Sequence, residues 1–211
     1  MFQACGGKAG VSGTPTADLP VTEPPFQNAE PDNYQVEVLQ TTAKGVERYF
    51  IARKGKSWRV DNAYGDPGQV TSLRTDKDFV LNYATKTYAE YDSGHGYDER
   101  ARMVEDVTRG MIIARTIASY EKIGTENGMT KYRVTGEPGK KTESIITIDD
   151  KLGMPVSKEI YSLEPARTLD VTVKLTGFKT EVDDSLLVMP KDFKKVPLED
   201  MQKTLIGPKP Q

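Results

Sequence analysis

Few side chains in this sequence have the type and spacing that chemistry needs. The one histidine, His95, sits in Ser93-Gly94-His95-Gly96, a turn sequence. A Ser/His/Asp triad is arithmetically open to it, but the sequence has no Gly-x-Ser-x-Gly elbow to present a nucleophile. An exposed loop histidine is the expectation. Gly55-Lys56-Ser57 imitates the end of a phosphate-binding loop, yet Phe50 stands where that motif needs its first glycine. Asp149-Asp150 and Asp183-Asp184 are carboxylate pairs of the kind used for metal or acid/base work. Both fall at strand ends beside turn residues, where Asp hydrogen-bonds its own backbone. Lys191, Lys194 and Lys195 form a small basic cluster that reads as a solvated face. No catalytic residue, cofactor site or metal site is expected from these positions, and the protein is not read as an enzyme.

Composition narrows the field further. The chain has 211 residues, 36% hydrophobic and 28% charged, with a formal net charge of −2. That length suits a single domain with one modest core. One cysteine excludes an internal disulfide and a cysteine-based zinc cluster, and one histidine excludes a histidine pair as metal ligands. No run approaches the roughly 18 apolar residues of a membrane-spanning helix. Near-neutral charge without a basic block argues against nucleic acid as a partner.

The elements come next. Residues 5–33 carry Gly6, Gly7, Gly10 and Gly13, then Pro15, Pro20, Pro24, Pro25 and Pro31. No apolar period survives so many breakers, and a disordered tether is expected. From Tyr34 the pattern alternates, giving strands at 34–42, 46–53, 57–61, 69–74, 79–83 and 87–91 joined by tight turns, an antiparallel meander. The period then changes. Asp98 can cap a helix, and Val104, Val107, Met111, Ala114 and Ala118 form one apolar stripe, so a helix is expected over about 98–118. Strands resume at 131–136, 143–148, 156–161 and 169–180, and a short last helix can start at Leu198.

About ten strands around one inserted helix suit a mainly β (α+β) fold. The expected form is a strongly curved antiparallel sheet, an open half-barrel with the 98–118 helix as a lid over its concave face. Val36, Val38, Phe50, Trp58, Val60, Leu73, Leu81 and Tyr88 on strands, with Val104, Val107 and Met111 on the helix, are the candidate lining of an apolar cavity. Equally, they could fill a core, and alternation alone does not say which face of each strand points inward.

Near the start, Phe2-Gln3-Ala4-Cys5-Gly6-Gly7 puts a small residue directly before a cysteine that opens the polar tether. This is similar to a bacterial lipoprotein processing site, at which the cysteine receives diacylglycerol. The likeness makes Cys5 the expected lipid attachment and residues 1–33 a signal remnant plus tether. The domain follows at 34–205, with a flexible tail at 206–211. Gly6 after the cysteine, where Asp would retain such a protein at the inner membrane, implies the outer membrane. Acyl chains at about 0.8 kcal/mol per buried CH₂ would anchor the domain firmly.

The order of motifs across the body resembles the LolA/LolB-type periplasmic lipoprotein carriers and the LppX-like lipid-binding lipoproteins. The resemblance rests on Ser57-Trp-Arg-Val60; on Leu73-Arg-Thr-Asp-Lys-Asp-Phe-Val-Leu-Asn-Tyr83 followed by Thr87-Tyr-Ala-Glu90; on Ile148-Asp-Asp-Lys-Leu-Gly-Met-Pro155-Val-Ser-Lys-Glu159; and on Val182-Asp-Asp-Ser-Leu-Leu187-Val-Met-Pro190-Lys-Asp-Phe193. It implies an open half-barrel closed by helices over an apolar cavity, binding lipid or lipoprotein acyl chains without a reaction, with the Val104–Met111 face as lid. It also implies a periplasm-facing, lipid-anchored envelope protein, expected to be a monomer, that traffics lipid or lipoprotein and meets an envelope protein partner. The sequence departs from the family where the tether replaces a helix before the first strand and where Leu187 replaces a Phe. Arg53 lies one residue too far from Trp58 to inherit a gating role. The alternative from another class is a non-transporting envelope structural or interaction module with a filled core, binding through strand edges or the Lys191–Lys195 region. A third is an enzyme using carboxylates in the cup.

Overall fold

Tyr34, Val36 and Val38 are almost wholly buried, whereas Gln35, Glu37 and Leu39 between them are only half-buried. The period-2 pattern thus places one face of the first strand in the core. The structure is a computed structural model that describes residues 23–27, 29–92, 108–109, 118–135 and 141–206. Twelve strands form one sheet: β1 (Asn33–Thr42), β2 (Gly45–Lys54), β3 (Ser57–Asn62), β4 (Val70–Arg74), β5 (Asp78–Asn82), β6 (Thr87–Tyr91), β7 (Ser119–Glu126), β8 (Met129–Thr135), β9 (Thr142–Asp149), β10 (Met154–Ser162), β11 (Thr168–Lys179) and β12 (Lys194–Lys195). A 3-10 turn (Asp184–Leu187) and helix α1 (Leu198–Ile206) complete the described elements.

The strand order is β12-β6-β5-β4-β3-β2-β1-β11-β10-β9-β8-β7. The pairing β1–β11 joins the β1–β6 meander to the β7–β11 meander, and every pairing except the two-residue β12–β6 contact is antiparallel. The sheet does not close: it is the open, curved half-barrel expected from the sequence. β7 is a strand that the sequence reading leaves out, because the apolar stripe runs on through Ala118. Within the expected helix Thr108, Arg109 and Ala118 are described. Thr108 and Arg109 are helical, with Thr108 fully buried. Ala118 is buried but lies outside any helix, directly before β7, so the helix does not reach the expected end at 118. The lid positions Val104, Val107 and Met111 lie outside the described residues, as do Cys5 and His95.

Register defines two faces. The inner face carries Tyr34, Val36 and Val38, opposite Arg53, Ile51 and Tyr49, and continues to Val60, Val173 and Leu175. The apolar side chains of this face and Met154 form the main core cluster. Burying each apolar side chain is worth about 1.5–3 kcal/mol. At the β6 edge a second cluster forms, where Met201 of α1, with no exposed surface, packs on Val80, Ala89 and Tyr91. Residues 183–201 therefore wrap one edge of the sheet. They run along the outer face as the 3-10 turn, pair with the edge as β12, and return to the inner face as α1.

Residues preceding β1 also touch the body. Phe26 meets Tyr120 edge-on at 6.0 Å, and the Gln27 amide donates to the Gly153 carbonyl at 3.2 Å. The Glu30 carboxylate accepts from the Tyr34 hydroxyl at 2.9 Å and pairs with Arg53 at 3.0 Å and Arg109 at 3.2 Å.

Candidate binding groove

The strand candidates for a cavity lining fall on both faces. Val36 lies opposite Ile51, and Ile51 opposite Val60; Val38 lies opposite Tyr49, and Trp58 opposite Arg53. Val36, Val38, Trp58 and Val60 are thus brought together on the inner face. Phe50 lies opposite Asp61, Asp61 opposite Thr71, Thr71 opposite Leu81 and Leu81 opposite Tyr88, while Leu73 pairs with Arg59 beside them. Phe50, Leu73, Leu81 and Tyr88 therefore share the outer face. Val36, Val38 and Val60 have no exposed surface, and Leu81 and Leu73 have 1% and 2%. Trp58 and Tyr88 are half-buried, with the Arg74 guanidinium 5.1 Å from the Trp58 ring centroid and Tyr88 edge-on to Phe79 at 6.0 Å.

The outer face under the 3-10 turn holds a charged network. Asp61 is fully buried and accepts from Arg59 Nε at 2.8 Å and from the Thr71 hydroxyl at 2.5 Å. Arg59 also donates to the Tyr83 hydroxyl at 2.8 Å and to the Leu186 carbonyl at 3.3 Å. Burial raises the Asp61 carboxyl above the ordinary value, against the opposing pull of Arg59 and the hydroxyl. This network ties the 3-10 turn to β3 and β4. One aspartate of each pair acts on its own backbone, Asp149 accepting from the Lys151 and Leu152 amides and Asp183 from the Ser185 amide at 2.9 Å, while Asp184 pairs with Lys54. Among the described residues no group of three or more His, Cys, Asp or Glu is placed to hold a metal.

Open space occurs where the inner row turns polar. Past Val38 and Tyr49 the next inner positions are Gln40, Thr42, Glu47 and Gly45. There the sheet holds a hollow of about 590 Å³ between the β1–β2 hairpin and the start of β11, lined by Gln40, by residues 42–47 and by residues 168–171. Its apolar lining is Val46, Leu169 and Val171, and Val46 and Leu169 are 62% and 48% exposed. Val46, opposite Thr41, belongs to the outer row with Phe50, so the hollow takes its lining from both rows at the hairpin end. A second hollow of about 500 Å³ shares Val46 and Glu47 and extends past Tyr49 to Asn62, Ala63 and Asp66. The Tyr49 hydroxyl donates to Glu47 at 2.6 Å, and burial together with that carboxylate raises the Tyr49 pKa, keeping the phenol protonated. The hairpin turn needs Gly45, whose φ of +131° is one that side-chain-bearing residues rarely adopt.

Apolar patterning passes over these groove residues because most of them are polar. The readable signal is the break itself: Tyr34, Val36, Val38 followed by Gln40 and Thr42 at the same spacing.

No family model matches the chain, and no curated protein matches it. Among solved structures, an uncharacterized conserved protein from Thermus thermophilus is similar, with 13% identity over 78% of this chain and 89% of that one, at a TM-score of 0.45. MucB in complex with MucA(peri) is similar at 10% identity over 76% of this chain, with a TM-score of 0.47. MucB in the Pseudomonas aeruginosa MucA/MucB complex is similar at 10% identity over 74%, with a TM-score of 0.46. This chain spans about 55% of the MucB chains in those complexes. Likenesses this distant carry nothing about activity, and they place the chain in no family.

Proposed function

We propose that the protein is a non-enzymatic binding module of the bacterial envelope that holds a hydrophobic ligand, a lipid or the acyl chains of a lipoprotein, in its half-barrel. On this reading it traffics that ligand, faces the periplasm with an envelope protein as partner, and is tethered to the outer membrane through a lipidated Cys5. The observation that carries the reading is the groove with Val46, Leu169 and Val171 in its lining, about 590 Å³ of open space at the end of the β1–β2 hairpin beyond the packed core cluster. Ligand pockets commonly measure about 300–1,000 Å³. Such a lining leaves apolar surface in water, and covering it with an acyl chain recovers about 25 cal/mol per Å².

Organic extraction of the purified full chain followed by mass spectrometry tests this. About one lipid per chain is expected, falling at least tenfold in Leu169→Asp. A preparation without lipid that also takes up none from vesicles overturns the proposal. The complete burial of Val36, Val38 and Val60 favours the second reading, an envelope interaction module whose core is already filled. Absence of lipid would leave that one standing.

A further inference from the structure

We propose that the groove selects a single-chain amphiphile with a cationic head, the acyl chain lying in the first hollow and the amine or quaternary ammonium in the second. The inference rests on the proposed function and specifies the ligand. The two hollows share Val46 and Glu47, so one molecule can occupy both. Their characters differ. Beside the shared Val46 and Glu47, the first adds Leu169 and Val171, whereas the second adds Arg48, Asn62 and Asp66 with Tyr49 and Ala63.

Charge decides the head. Glu47, Asp66 and Asp170 line the two hollows against Lys44 on the exposed hairpin tip. Arg48 also borders the second hollow: its guanidinium donates to Glu37 at 2.6 and 2.9 Å and lies 5.9 Å from the Tyr64 ring centroid. It is also attracted to Asp66, so Asp66 is partly offset and Glu47 is the carboxylate the head would meet. Glu47 pairs with no cation among the described residues. It accepts a hydrogen bond from Tyr49, which holds the carboxylate in place without neutralising it. A cationic head placed there gains attraction at the semi-exposed rim of a low-dielectric wall, while a phosphate or carboxylate head meets repulsion.

Calorimetric titration of the full chain with dodecyltrimethylammonium and with dodecyl phosphate, each below its micelle concentration and at low salt, tests the head. The cationic probe is expected to bind at least tenfold tighter, with the gap narrowing as salt is added. In the double variant Glu47→Gln/Asp66→Asn the gap is expected to close to within about twofold. Glu47 and Asp66 are exposed, and an unchanged urea midpoint checks that the fold survives. Leu169→Asp is expected to weaken both probes. Equal binding of the two heads, tighter binding of the phosphate, a gap that survives the double variant, or binding unaffected by Leu169→Asp overturns the inference. Chain binding without head preference overturns this inference alone, whereas failure of both probes to bind counts against the proposed function itself.

Discussion

Asp61 shows how much a single buried carboxylate costs and secures. With no exposed surface it would be expensive alone, and Arg59, Thr71 and Gln69 make it tolerable. Removing it leaves a guanidinium that is largely buried, its side chain only 12% exposed, without its counter-ion. Asp61→Ala is therefore expected to destabilise the fold by about 3–5 kcal/mol in urea denaturation. Arg59→Met in the Asp61→Ala background should recover part of that loss, since no unpaired charge then remains. A cost of Asp61→Ala below about 1 kcal/mol would mean the pair is solvated and does not hold the 3-10 turn.

The elements owe their order to turn chemistry as much as to apolar periodicity. β7 and β8 are joined by Asn127-Gly128, both with positive φ at +52° and +72°. This is the backbone of a type I′ turn, whose twist matches that of the strands it joins. A Cβ on Gly128 would meet no atom within 4 Å. Gly128→Val is thus expected to cost about 1–2 kcal/mol through the backbone alone, read as a lower thermal midpoint. The same substitution at Gly68, where no positive φ is recorded and a Cβ also has open space, should cost distinctly less. Asn-Gly between runs of apolar and polar residues is a hairpin signal that the sequence carries. The stripe from Val104 to Ala118 competes with it, because a helix over those residues leaves the β7 segment reading as a connection.

The molecule as a whole is an open sheet whose two edges are treated differently. The β6 edge is capped by β12, and α1 covers the adjacent inner face, with Met201 fully buried. β7 ends the other side of the sheet, and Glu121–Glu126 in it is exposed. Among the described residues no helix is long and apolar enough to cross a membrane. On the proposed reading, membrane attachment depends on Cys5. Cell fractionation should find the protein with membranes and Cys5→Ala in the aqueous fraction, with its lipid-binding groove intact. Membrane association that survives Cys5→Ala would remove the anchor from the proposal.

Local pattern by itself determined most of the strands, the tight turns between them, the Asx role of Asp149 and Asp183, the last helix and the open curved sheet. These follow from period-2 alternation and from residues that bend the backbone within a few positions, information carried by near neighbours in the chain. The tertiary structure alone decided which face each strand turns inward, because a period of two is symmetric until a partner strand fixes the register. It put Phe50, Leu73, Leu81 and Tyr88 on the opposite face from Val36, Val38, Trp58 and Val60. It also made the groove, since Val46 and Leu169 stand 123 positions apart in the chain (169 minus 46) and line one hollow only because β1 pairs with both β2 and β11.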